Sequence, residues 1–309
     1  MCRPDQGLSV RHLPAIAMGT EVRMTKPAFR LIRPAPQETS VIFASPHSGR
    51  DYPPGFLAES QLESLQLRSS EDAYVDRLIA RAPMCGAPLL CALTPRAYID
   101  LNRAADELDP AVIAGVDRIA HNPRISSGLG VIPRVVSGGR AIHSGKITLE
   151  EAQHRLSHHW RPYHDALKGI IDETCASFGE AILIDCHSMP HEAIANHARP
   201  GQPKPEIVLG DRFGAAAGRE VVDQIEAAFA TAGFHVVRNS PFAGAYIAQH
   251  YGRPLSHKHV VQIEIDRSLY LDEARVEPGP NFARFTARFN RVVADIARIG
   301  RRAVPLAAE

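Results

Sequence analysis

The chain has 309 residues, 45% hydrophobic and 22% charged, with 35 basic against 34 acidic side chains and a formal net charge of +1. That balance excludes any global reason to bind nucleic acid or an anionic membrane, which call for a basic excess or stripe, so any positive charge that matters must be local. Five widely spaced cysteines (Cys2, Cys85, Cys91, Cys175, Cys186) with no Cys-x-x-Cys pair argue against a disulfide framework or thiolate zinc site, and the chain shows no signal-peptide or membrane-spanning stretch, so a reduced, cytoplasmic setting is expected.

From Phe29 onward, short apolar runs alternate with longer segments of helical period, the pattern of strands joined by crossover helices. It predicts an α/β fold with a mainly parallel sheet covered on both faces. Strands are expected over residues 40–45, 88–93, 97–101, 181–185, 207–209, 235–238 and 260–266. Helices are expected over 57–67, 70–82, 148–178, 212–232 and 281–301. Glu71 and Asp72 fall in the first turn of the second helix, where the macrodipole favours acids. Thr148 and Glu151 have the spacing of a capping box. Residues 103–146 turn polar and glycine-rich and read as an extended loop excursion, a type of segment that is often functional. Residues 1–28 read as a mobile N-terminal tail and residues 29–309 as one domain.

Open α/β sheets bind ligands beyond the carboxyl ends of their strands, so polar clusters at strand ends are expected to converge. One apolar run leads straight into His47; another leads into Asp185 and His187, which lie two apart and face the same side of an extended chain. Two histidines plus one carboxylate make a catalytic zinc site with a position open for water. Arg50 occupies the place, three residues after His47, where a carboxylate would be usual. Asp72 is the best substitute and Glu71 its rival. The bland reading is that each histidine is a hydrogen-bonded core or loop residue, and with 15 histidines spacing alone does not separate the two.

A third strand places Glu264 and Asp266 on one face. A carboxylate in an apolar strand calls for a partner, so Glu264 is either ion-paired, for example with Arg267, or a general base beside an activated water. Arg96, Asp100, Asn102 and Arg103 form a cluster suited to gripping a carboxylate, or else surface ion pairs. Arg134 and Arg140 offer a second anion clamp or are solvated loop charges. Gly210, Gly214 and Gly218 read as close helix packing, Cys186 as a core residue turned away from the strand-end cluster, and most of His154, His158, His159 and His164 as a solvated helix face.

In this order, the segments Ser45 to Gly49, Asp72 to Leu78, Arg96 to Arg103, Asp185 to Ser188, Gly244 to Gly252 and Gln262 to Glu264 resemble the N-formylglutamate amidohydrolase family, relatives of the zinc carboxypeptidases and aspartoacylases. The likeness runs over roughly residues 41–273. It implies a three-layer sandwich with a mixed, mostly parallel sheet of zinc carboxypeptidase type, forming a single catalytic domain. It also implies one zinc ion held by His47, Asp72 and His187, with Glu264 promoting attack by water. Arg96 would polarise the scissile carbonyl, Asn102 and Arg103 would hold a substrate carboxylate, and Tyr246 would sit on a loop near the substrate. The implied substrate is a small N-acyl amino acid with carboxylate groups, N-formyl-L-glutamate giving L-glutamate and formate. The chain departs from the family pattern between Pro110 and Lys146, the segment that carries Arg134 and Arg140. An aspartoacylase-like or carboxypeptidase-like hydrolase of a larger group, and a non-catalytic anion-binding protein, are the alternatives.

Overall fold

The structure, a computed structural model, describes residues 27–117, 122–195 and 204–301. Seven strands form the main sheet: β1 (Phe29–Ile32), β2 (Val41–Ser45), β3 (Leu89–Ala92), β4 (Ala181–Met189), β5 (Ile207–Gly210), β6 (Val236–Arg238) and β7 (Lys258–Asp266), in the order β1-β3-β2-β4-β7-β5-β6. The central strands β3, β2, β4 and β7 are mutually parallel. At one edge β1 runs antiparallel to β3; at the other, β5 is antiparallel to β7 and carries β6 parallel to itself. The sheet is therefore mixed and mostly parallel.

Period-2 alternation sends successive side chains of the buried strands into two separate cores. Val41, Phe43, Ile184 and Ile263 join one, while Ile42, Ala44, Leu183 and Val260 join the other. The first is closed by the helices Arg219–Thr231 and Phe282–Ile299, the latter through Phe285, Phe289, Val292 and Ile296 at helical spacing. Burying each such side chain stabilises by about 1.5–3 kcal/mol. The second core is closed by the helix Arg161–Phe178, whose buried stripe is Tyr163, Leu167, Ile170, Ile171 and Thr174. No helix among the described residues is long and apolar enough to cross a membrane.

Several expected elements take other forms. The long helix begins at Thr148, whose side chain accepts from the Glu151 amide as anticipated, but residues Leu156–Trp160 form a π-helical segment. Pro162 follows it and lacks the N–H that an α-helical ladder needs there. The helix expected over 57–67 divides into Pro54–Glu59 and Ser64–Arg68, because Ser60 and Gln61 bond to Ile142 instead. The helix expected over 70–82 shrinks to the single turn Val75–Leu78, preceded by Tyr74 in the left-handed region (φ 64°). Asp72 thus sits in a loop rather than at a helix start. Residues 97–101 are a turn, not a strand: the Asp100 amide donates to Val131 O and the Asn102 amide to the Asp100 carboxylate. Of the expected tail, only residues 27 and 28 are among those described, and Ala28 is buried, its carbonyl accepting from the amides of Leu93 and Thr94.

His164, one of four histidines of which most are expected on a solvated face, is buried against the second core. Its Nε2 donates to Leu101 O (2.9 Å) and its Nδ1 lies 2.9 Å from the Tyr251 hydroxyl, so it pins the turn that carries Asp100 and Asn102. Burial drives its pKa down to about 3, the Leu101 carbonyl only partly opposing this. An unfolded chain protonates this ring near its ordinary value while the folded chain does not, so the folded state loses stability as pH falls from about 6.5 towards 3. Urea unfolding at pH 7 and pH 5 should find the wild type losing about 2 kcal/mol more than His164→Gln over that interval; equal losses in the two proteins would refute it.

Candidate active site

The parallel strands β2, β4 and β7 end on the same edge of the sheet, and their last side chains meet there. The β4–β7 register pairs Asp185 with Gln262 and His187 with Glu264, so alternate residues of neighbouring strands share one row. Cys186, between them, faces the opposite core as expected. The chain leaving β2 turns at Pro46 and presents His47, whose carbonyl accepts from the Asp72 amide (3.0 Å), tying the loop of Asp72 to the end of the strand.

His47, Asp72 and His187 each offer one donor atom within 4.8 Å of the others, the only group of its kind among the described residues. Asp72 Oδ2 lies 2.9 Å from His187 Nδ1 and 3.3 Å from His47 Nδ1. The opposite ring nitrogens face carboxylates: His47 Nε2 hydrogen-bonds Asp100 Oδ1 at 2.7 Å, whereas His187 Nε2 lies 3.0 Å from Asp185 Oδ2 without a hydrogen bond to it. The His47–Asp100 bond is the outer-shell arrangement that fixes a metal-binding imidazole with its free nitrogen pointing inward. The other oxygen of Asp72 is taken by Arg267 at 3.1 Å, leaving Oδ2 for the centre of the site. His47 Nδ1 is buried with no hydrogen-bond partner. A solvent-excluded imidazole nitrogen without a partner, beside a second imidazole and a carboxylate oxygen, is a donor set that fits a divalent zinc-like ion.

The charge states of the site are set by burial and by these pairs. Burial alone would raise the Asp72 pKa, but the hydrogen bond with His187 and the nearby imidazole of His47 hold it well below the usual carboxylate range. Burial opposes a charge on His187, yet Asp185 and Asp72 raise its pKa well above the ordinary value. Burial pushes the Glu264 carboxyl up to about 7, with His187 pulling it down and Asp72 pushing it further up. Glu264 accepts from the Gln262 amide at 2.8 Å. The rival ligand Glu71 is turned away, its carboxylate bound to Arg68 and to the Tyr52 hydroxyl.

His47, Asp72, His187, Gln262 and Glu264 line a cavity of about 780 Å³. Arg96 is on its wall, its Nε fixed by Asp100 (3.0 Å) and its terminal nitrogens without a partner among the described residues. Asn102 is on the wall too, but its side chain is engaged inward: Oδ1 accepts from the Ile247 amide and Nδ2 lies 3.2 Å from His187 Nε2. Arg103 donates to the carbonyls of Leu129 and Asn102 and bonds no carboxylate; burial lowers its pKa.

Three expected contributors do not line the cavity. Arg134 is engaged by Asp109 (3.0 Å) and Ser126 O, and the exposed Arg140 by Ser69 and Ser137. Tyr246 stacks among Trp160, His164 and His250 instead. Arg267 pairs with Asp72, not with Glu264. The cavity wall instead gains Arg124, Arg212 and Arg267. The available signal for Arg212 was its place just past the end of β5. Gly210 is needed there because a Cβ would lie 2.6 Å from Gly244 N, a loop-to-loop approach rather than helix packing.

Comparison with known proteins bears on this site. The profile described as N-formylglutamate amidohydrolase matches residues 39–271. An N-formylglutamate deformylase of Pseudomonas aeruginosa is 30% identical over 237 residues, 75% of this chain and 82% of that protein. The N-formylglutamate deformylase of Pseudomonas putida is 28% identical over 236 residues, with the same coverage. The crystal structure of an N-formylglutamate amidohydrolase from Ralstonia eutropha JMP134 superposes with a TM-score of 0.83 at 33% identity, over 90% of this chain and 100% of that one. A gene product of Agrobacterium tumefaciens shares the fold at 17% identity, TM-score 0.57, over 89% of this chain and 96% of its own. With a family profile spanning most of its length and relatives at this level of identity, the chain belongs to the N-formylglutamate amidohydrolase family.

Proposed function

We propose that the chain hydrolyses the N-formyl amide of N-formyl-L-glutamate, releasing formate and L-glutamate, with one divalent zinc ion held by His47, Asp72 and His187. The observation that carries the reading is the unpartnered, buried Nδ1 of His47 beside His187 Nδ1 and Asp72 Oδ2, in a cavity that also contains Glu264 and Arg96. Family membership supplies the acyl group, since the related Pseudomonas proteins are N-formylglutamate deformylases.

When bound, the metal supplies a Lewis acid that polarises the formyl oxygen and makes water acidic enough to react near neutral pH. Glu264 takes a proton from the attacking water as the C–O bond forms, and then gives it to the amine nitrogen as the C–N bond breaks, leaving formate and the free amine. Its raised pKa, about 7, suits a group that must both accept and give up a proton at neutral pH. Arg96, steadied by Asp100, directs its free terminal nitrogens at the oxygen that becomes negative. Arg103 is a buried cation with no bonded carboxylate and meets one from the substrate. A larger acyl group is the second reading, favoured by one observation: about 780 Å³ falls within the range that holds drug-sized ligands, about 300–1,000 Å³. Rates on N-formyl-, N-acetyl- and N-succinyl-glutamate decide between them.

Formate release from N-formyl-L-glutamate should be abolished by a chelator and restored by zinc, with metal analysis finding about one ion per chain; chelator-insensitive release would sink the metal-dependent mechanism. Glu264→Gln should cut kcat by roughly 10²–10⁴-fold while metal content stays at the wild-type level. A near-wild-type rate, or loss of the metal in this variant, would remove Glu264 from the proton-transfer role.

A further inference from the structure

The cavity wall carries more positive charge than its own acids engage. Of its five arginines, Arg96 is paired with Asp100 and Arg267 with Asp72, whereas Arg103, Arg124 and Arg212 have no bonded carboxylate among the described residues. Arg103 can meet one substrate carboxylate, and Arg134 and Arg140 are engaged elsewhere. A second carboxylate therefore falls to Arg124 or Arg212.

Arg212 is the better built of the two. It and Phe213 both have left-handed backbones (φ 54° and 56°), and Asn239, which braces them, is a third (φ 58°). Non-glycine residues hold such conformations only where their surroundings over-determine them, as at ligand clamps. Here the surroundings do: Asn239 Oδ1 accepts from the amides of Asp211 (3.1 Å) and Phe213 (3.4 Å), its Nδ2 donates to Asp211 Oδ1, and the Arg212 amide donates to Ala243 O at 2.7 Å. The tight approach of Gly210 to Gly244 locks the two loops, and Gly244 O steadies Arg212 Nη1 at 3.3 Å, leaving Nε and Nη2 without a partner among the described residues. The corner is held by these hydrogen bonds rather than by burial of its apex, where Phe213 is 80% exposed. The backbone that carries the guanidinium is thus fixed, and two of the three guanidinium nitrogens remain open for two-point recognition of a carboxylate.

We infer that Arg212, braced by Asn239, is the specificity-determining residue that binds the side-chain carboxylate of a dianionic N-acyl amino acid. This rests on the deformylase reading above and extends it from the reacting amide to the acid that is recognised. Two variants separate the charge from the backbone: Arg212→Met removes the guanidinium, and Arg212→Gly removes it while permitting the left-handed conformation, so its melting temperature should not fall. Each is compared with wild type in kcat/KM for N-formyl-L-glutamate and N-formyl-L-glutamine. Calorimetric binding of glutarate and its isosteric mono-amide to the full chain gives a readout independent of turnover. Both variants should lose about 10- to 100-fold on formylglutamate and on glutarate, and less than about 3-fold on the amide compounds. Equal losses on both members of each pair, or no loss on the dianions, would overturn the assignment. If the wild type releases no formate from either compound, the deformylase reading fails, while the glutarate comparison still decides for or against Arg212.

Discussion

The carboxylate of Asp72 is the constraint around which the site is assembled. It is 1% exposed, and an ionised carboxylate at that depth is costly unless every lone pair is engaged. Its partners come from three distant parts of the chain: His47 beyond β2, His187 and Ser188 on β4, and Arg267 beyond β7. Removing Arg267 would leave a buried acid facing two imidazoles with only the long bond from the Ser188 hydroxyl (3.5 Å) to fix which oxygen points inward. Arg267 in turn reaches the carbonyls of Ser69 and Ser188, so the loop of Asp72 and the end of β4 are held by the same guanidinium.

The sheet makes this meeting possible. Parallel strands carry their carboxyl ends to one edge, and the β4–β7 register puts His187 level with Glu264. A one-residue slip would turn every one of these side chains into the opposite core. That slip is resisted because Ile182, Ile184 and Cys186 fill one core while Ala181 and Leu183 fill the other. The position of Glu264 beside His187 is thus fixed by apolar packing on the same two strands.

What could be read from sequence divides along physical lines. Buried strands announce themselves by unbroken apolar runs, and the runs ending at His47, at His187 and around Glu264 give both the sheet core and the residues at its edge. The turn over 97–101 was hidden because all its side chains but Asp100 resemble a strand's, while its backbone bonds, to Val131 and to the Asp100 carboxylate, are long-range or side-chain bonds that periodicity does not register. The helix expected from Ser70 fails for a related reason: Tyr74 is left-handed, and Arg50 grips Asp76 with two bonds of 3.1 and 2.9 Å from outside. Arginines are the hardest to assign. Arg134 and Arg212 look alike as sequence, yet the first is paired with the distant Asp109 and off the cavity wall while the second lines it.

Charge balance joins these observations. A chain with a formal net charge of +1 has no surface-wide field to gather a dianion, so attraction has to come from within the cleft. Five arginines against three carboxylates on the cavity wall provide it, and the acids are the less available of the two sets. Asp72 and Asp100 are engaged by histidine and arginine, and burial raises the Glu264 pKa towards neutrality, which lowers the negative charge a substrate would meet. On the proposed reading, the burial that would suit Glu264 to proton transfer would therefore also admit an anionic substrate. In a site with low effective dielectric, each uncompensated guanidinium acts more strongly on a bound carboxylate than it would at the surface.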